Sequence, residues 1–286
     1  DGRAGIVAGL TGFASGDPAT CQVAGQFTVT KIATQAVLDG GRLWWDRSSS
    51  HAVPIKTADS FYLGVAVGDA ATTATSVVVD LNVEQKLAIE LGKGQWTNGA
   101  TDGLGVTQVA YGGKPELKLA FDAVAEVAMA ALYSVGTVPV ADGPIFEGEI
   151  AIYDIGDNAA LDITFGLANG THATDFDSVT EAVVFHLDGT ALSVLAESDD
   201  GTTEVAATDT TVDAVDDTYA EYWIDCRDPS DIQLYINGVN VLADSTFKLD
   251  AATGPLLPIV HIEKTSNDTT ADVRVRDIRV RTTDLS

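Results

Sequence analysis

The stretch Asp231-Ile-Gln-Leu-Tyr-Ile-Asn-Gly-Val-Asn-Val241 decides the fold. Ile232, Leu234 and Ile236 alternate with Gln233 and Tyr235, which is the two-residue period of a half-buried strand. Asn237-Gly238 then supplies two residues that tolerate positive φ, the strongest short signal for a tight hairpin. A strand, a two-residue turn and a returning strand are therefore expected. The same pattern extends outward on both sides. Leu161, Ile163, Phe165 and Leu167 form an apolar face opposite Asp162 and Thr164. Ile145–Tyr153, Glu181–Asp188, Tyr219–Asp225, Ile259–Lys264 and Val273–Val280 read as further strands, rich in residues that suit a pleated surface. Only Phe121 to Leu132 admits a helix, with Val124, Val127 and Leu132 on one face, and its alanines fit a strand equally. The class is all-β, and the many strands after residue 115 point to a two-sheet jelly-roll sandwich.

Toward the N-terminus the runs are shorter. Gln26–Lys31, Gly40-Gly-Arg-Leu-Trp-Trp-Asp46, Leu63–Asp69 and Ser76–Asn82 suggest a small β-barrel or sandwich. Gly40 and Gly41 permit a left-handed turn before the tryptophans. Adjacent strand residues face opposite sides, so one of Trp44 and Trp45 is expected in the core and the other at an edge or a subunit interface. Between residues 92 and 115 glycine is dense. We therefore expect a β domain over 1–92, a linker over 93–114 and the jelly roll over 115–286.

The chain has 286 residues, 45% of them hydrophobic, and a formal charge of −26. That charge disfavours nucleic acid and anionic membrane surfaces as partners, and it favours solubility. No run approaches the roughly 18 apolar residues of a membrane span. The opening Asp1-Gly-Arg-Ala-Gly lacks the basic and apolar regions of a signal peptide, and it lacks an initiator Met, so a Met or short segment is expected to precede it. Cys21 and Cys226 fall in different expected domains, so two buried free thiols are expected rather than a disulfide.

Four segments carry a resemblance. Gly25 to Lys31, Gly41 to Asp46, Leu63 to Asp69 and Val77 to Asn82 stand in the order and spacing of a family of small phage capsid-cement proteins. Gly9-Leu-Thr-Gly-Phe-Ala precedes them, and the resemblance covers roughly residues 5 to 82. Arg42 and Leu43 depart from the family's turn. The run Tyr222-Trp-Ile-Asp225 with the hairpin after it is similar to laminin-G-like and concanavalin-A-like sandwiches. Gly166–His172 and Glu197–Asp209 resemble jelly-roll domains of phage structural proteins. The resemblance implies a virion protein on the outer capsid surface, made in the host cytoplasm. Its implied partners are the major capsid protein and further copies of itself, as a trimer. The alternative is an adhesive virion protein whose jelly roll binds host-surface glycan.

Chemistry is not expected. Sandwich glycosidases need two carboxylates across a cleft. Glu147 and Glu149 share a strand face but lack a third acid or an aromatic platform, and read as a solvated face. His51, His172, His186 and His261 show no paired metal spacing. His186, on the parity of Ala182 and Val184, and His261, on that of Ile259, read as hydrogen-bonded sheet residues. No cofactor is expected. The one ion the resemblance admits is calcium at the loop acids Asp175, Asp177, Asp199 and Asp200, although Val179 and Thr180 break the calcium-loop pattern. On the last strand, a bulge near Asp277 would turn Val273, Val275, Ile278 and Val280 inward and Arg274, Arg276, Arg279 and Arg281 outward. That cationic stripe is a candidate capsid or subunit interface, as are Trp44 and Trp45. Pairing with acids of the same domain is the competing expectation.

Overall fold

A computed structural model describes residues 3–8, 20–93, 96–100, 105–111, 114–173 and 175–283. Gly9 to Ala14 of the cement-like pattern lies outside them. The chain separates into two compact units, one drawn chiefly from residues 1–86 and the other from Leu87 onward.

The smaller unit holds β1 (Ile6–Ala8), β2 (Thr20–Gln22), β3 (Gln26–Thr30), β4 (Arg42–Asp46), β5 (His51–Val53), β6 (Ser60–Ala66) and β7 (Ser76–Leu81). β1 pairs with β2, and the other five form an antiparallel sheet in the order β3-β7-β6-β4-β5. Leu43, Leu63, Val77, Val79 and Leu81 fill its core. A lone parallel bridge from Lys31 to Ala52 links the two sheet edges, so the sheet curls toward a barrel without closing into one. Lys31 is buried, and its ammonium donates to the carbonyls of Ile32 and Ala74 at 2.7 and 3.1 Å, which ties this seam. Gly64 has φ +150°, and a Cβ there would lie 2.1 Å from the Asp80 carbonyl, so only glycine lets β6 lie this close to β7.

The larger unit is a two-sheet antiparallel jelly-roll sandwich. Its strands are β8 (Ile89–Glu90), β9 (Trp96–Ala100), β10 (Gly105–Tyr111), β11 (Lys114–Phe121), β12 (Glu126–Ser134), β13 (Ile145–Asp154), β14 (Leu161–Ala168), β15 (Glu181–Asp188), β16 (Ser193–Asp200), β17 (Glu204–Asp213), β18 (Ala220–Asp225), β19 (Gln233–Ile236), β20 (Val239–Val241), β21 (Leu257–Asn267) and β22 (Ala271–Arg281). One sheet runs β10-β11-β22-β13-β18-β19-β20, with β8 also on β22; the other runs β17-β16-β15-β14-β21-β12-β9. Leu161, Ile163, Phe165 and Leu167 meet Phe146, Ile150, Val273, Val275, Ile278 and Val280 in one core. Tyr222 of the first sheet stacks edge-on against Phe165 and Phe185 of the second, at 4.8 and 5.2 Å between ring centroids. Asn237 and Gly238 have φ of 51° and 76°, the paired positive angles of the expected hairpin turn.

Two expectations are corrected and one open alternative is resolved. Within the stretch expected to be a linker, Trp96–Ala100 and Gly105–Tyr111 are strands: β9 pairs with β12 and β10 with β11, because a partner strand satisfies their backbone. Phe121 to Leu132 holds no helix, because Ala128, Ala130 and Leu132 of β12 point into the core with a period of two. Cys21 is an exposed free thiol on the three-residue strand β2, which among the described residues pairs with β1 alone; Cys226 is buried as expected. Among the described residues no helix is long and apolar enough to cross a membrane.

Candidate functional site

Three clusters of side chains are candidates for function. The first is the tryptophan strand of the smaller unit. A register shift between Leu43 and Trp44 interrupts the β4–β6 ladder. Trp45 packs against the core of this unit and lines an apolar groove of about 400 Å³ with Ile6, Phe27, Val29 and Phe61. Trp44 takes the opposite face, edge-on to Tyr62 at 5.2 Å, with Lys56 Nζ 5.0 Å and Arg42 Cζ 5.9 Å from its ring centroid. The division into one core-facing and one outward tryptophan follows from strand geometry. Whether either touches a partner belongs to the proposal below.

The second cluster is the arginine strand β22. Glu149 pairs with Asp277 and Ile150 with Val275, so Arg276 is the bulged residue that turns all four apolar side chains into the core. The arginines do leave the core, but they form no free stripe. Arg279 is 3% and Arg281 4% exposed. Arg279 Nε donates to Glu147 Oε2 at 2.9 Å, its Nη2 to Glu221 at 3.3 Å and its Nη1 to Asp277; Arg281 Nη1 donates to Glu147 Oε1. Burial opposes the Arg279 charge, but the carboxylates of Glu221, Glu147 and Asp277 outweigh it and hold the guanidinium ionised. Arg274 pairs with Asp272 and Glu116 and stacks on Tyr153, its Cζ 3.7 Å from the ring centroid. Arg276 lies 3.5 Å from Glu116 and Glu149 and stacks on Tyr219 at 3.6 Å. Glu147 is likewise 6% exposed rather than solvated. Cross-strand pairing with acids of the same unit compensates the cations, as the competing expectation had it.

The third cluster was not expected. The outer face of the seven-stranded sheet carries two adjacent rows of side chains. Asp188, Asp162 and Glu263 stand in register across β15, β14 and β21, beside a row of His186, Thr164 and His261. His261 Nε2 lies 2.7 Å from Glu263, which also accepts the Phe176 N–H at 2.9 Å. His186 Nε2 lies 2.9 Å from Asp188 Oδ1 and 3.7 Å from Asp162 Oδ1, and Nδ1 lies 3.4 Å from Glu197 Oε1. None of these three contacts is aligned as a hydrogen bond, so they act as ion pairs. Burial disfavours the imidazolium, but Asp162, Glu197 and Asp188 outweigh it and push the His186 pKa up to about 10. The row borders a cleft of about 510 Å³ whose lining includes Phe176, Asp177, His186, Asp188, Glu197 and Asp199. Burial, then Glu197 and Asp175, push the Asp177 carboxyl above its ordinary range.

Among the described residues, Asp175, Asp177, Asp199 and Asp200 form no group of three with ligand atoms within 4.8 Å of one another, although Asp177 and Asp199 line the same cleft. Asp175 accepts the Asp177 N–H and caps the short 3-10 turn Phe176–Ser178. Asp199 accepts the Gly201 N–H, while Asp200 turns inward to bind the N–H groups of Thr202 and Thr203. Their own backbone turns absorb Asp175, Asp199 and Asp200. The His186 cluster was hidden from the sequence because Asp162 and Asp188 are 26 positions apart and meet only through strand register.

No curated protein sequence matches the chain. Among solved structures, the chain is similar to the carbohydrate recognition domain of Emp47p, with 8% identity over 65% of this chain and 88% of that one, at a TM-score of 0.45. A Bacteroides ovatus GH16 protein of a mixed-linkage glucan locus aligns with 10% identity over 65% of this chain and 94% of that one, at a TM-score of 0.46. The VIP36 exoplasmic/lumenal domain, in its Ca2+/Man-bound form, aligns with 7% identity over 65% and 82%, at 0.44. Over residues 1–81, the smaller unit and its β1–β7 frame, the chain matches the family model of the phage cement protein.

Proposed function

We propose that this chain is a non-enzymatic structural protein of a phage virion that decorates and stabilises the outer capsid surface. In this reading the smaller unit binds between major capsid protein subunits, as a trimer, and the jelly roll is displayed outward. The match of residues 1–81 to the phage cement family carries the reading. Trp44 and the Trp45-lined groove support it, because partly exposed aromatic side chains are enriched at protein interfaces. The charge of −26 is consistent with a coat that must not aggregate or bind the packaged nucleic acid.

The adhesive alternative asks for an exposed aromatic platform beside acids. Phe176, the aromatic residue lining the acidic cleft, is 4% exposed and packs against His261, so that platform is not offered there. Co-sedimentation of the purified chain with empty heads tests the main reading. Saturable binding by the wild type and weakened binding by Trp44→Ala, with unchanged circular dichroism, are expected. Absence of binding to heads, together with retention on a glycan array, would replace it with the adhesive reading.

A further inference from the structure

We propose that the outer face of the seven-stranded sheet binds a divalent transition-metal ion of the zinc class through His186 Nε2 and the carboxylates of Asp162 and Asp188. The proposal is independent of the capsid reading. Asp162 and Asp188 are direct cross-strand partners on one sheet face. Like charges so placed repel each other, and a cation between them removes the cost. His186 Nε2 and one oxygen from each carboxylate all lie within 4.8 Å of one another.

The separations match an ion. Ligands about 2.0–2.2 Å from a tetrahedral zinc are about 3.3–3.6 Å apart. The observed Nε2 distances of 2.9 Å to Asp188 and 3.7 Å to Asp162 bracket that value, so along these two edges shifts of a few tenths of an ångström suffice.

His186 supplies the independent observation. It is 9% exposed, it lines the cleft, and neither ring nitrogen has an aligned hydrogen-bond partner. Its carboxylate contacts are ion pairs not aligned as hydrogen bonds, so a metal ion binding at Nε2 would replace the imidazolium proton and keep the charge between the acids compensated. On its far side Glu197 Oε1 stands 3.4 Å from Nδ1, near enough that a small ring rotation would form the Nδ1–H hydrogen bond by which a carboxylate orients a metal-binding imidazole. One nitrogen and two carboxylates suit zinc or manganese better than calcium, which takes six to eight oxygens.

The test is calorimetric titration of the whole chain, freed of metal by a chelator, with Zn2+, Mn2+ and Ca2+ in turn. One Zn2+ per chain is expected, with affinity weakened at least tenfold by Asp162→Asn and by Asp188→Asn. His51→Ala, in the other unit, should leave it unchanged. Zn2+ should also raise the unfolding midpoint of the wild type and not that of His186→Gln, which covers the case where an Asn variant folds poorly. If His186 is only the counter-cation of two acids, no zinc heat appears up to roughly 1 mM, a level that marks a Kd too weak to count as a site. That result, equal zinc affinity in the Asn variants, or calcium binding tighter than zinc, overturns the proposal.

Discussion

Replacing Glu147 with alanine should unfold the larger unit at a markedly lower temperature. Glu147 bridges Arg279 and Arg281, and all three are nearly out of solvent, at 6%, 3% and 4% exposure. The pair as a whole need not stabilise the fold, because bringing the charges out of water costs nearly as much as their attraction returns. Removing one partner is different, since it leaves buried guanidinium charge without compensation, at about 3–5 kcal/mol. Glu221 and Asp277 still face Arg279, which places Glu147→Ala at the lower end, about 3 kcal/mol. In a unit of this size about 1 kcal/mol moves the midpoint by about 2–4 °C, so a fall of about 6–12 °C is expected. Scanning calorimetry, following the transition of the larger unit, reads it. Arg276→Ala is the internal comparison: its side chain is 23% exposed, and it should cost about 1 kcal/mol or less. If Glu147→Ala falls within about 1 kcal/mol of the wild type, the network is not desolvated and the arginine strand is open to partners after all.

Two further outcomes follow from single side chains. Glu181 accepts from the Thr253 and Gly254 N–H groups, the Thr253 hydroxyl and Asn169; burial raises its pKa, but these donors outweigh it and hold the carboxyl below its ordinary value. Its stabilisation is therefore complete above the unfolded pKa of about 4.3 and is lost as pH falls through the lower folded pKa. Glu181→Gln should cost about 2 kcal/mol near pH 7 and flatten the acid limb of a urea-midpoint series, and an unchanged acid limb would contradict it. Gly64→Ala should unfold the smaller unit selectively, because its Cβ would collide with the Asp80 carbonyl at 2.1 Å; a wild-type near-ultraviolet spectrum with intact head binding would show that β6 and β7 separate freely.

The local grammar of this fold was legible, and its cross-strand chemistry was not. Leu161 to Leu167, the Asn237-Gly238 turn and the bulge on β22 are written in neighbouring residues, where period and turn chemistry act directly. Which acids pair with the arginines was not legible, because Glu116, Glu147 and Glu221 reach them only through the order β11-β22-β13-β18. The His186 cluster escaped for the same reason, since nothing near His186 announces Asp162. The Gly-rich stretch misled because glycine weakens a strand but does not forbid one that finds a partner, as β9 does beside β12. In the tryptophan pair, parity alone separated Trp44 from Trp45.

In the function proposed here, the unit spanning residues 1–81 seats this chain on a capsid. Electron microscopy of heads assembled with and without the chain tests it most directly. Difference density is expected on the outer shell at local three-fold positions, with the smaller unit against the capsid and the sandwich outside it. Density confined to the tail or its fibres, or shell density in which the sandwich makes the contact, would contradict it.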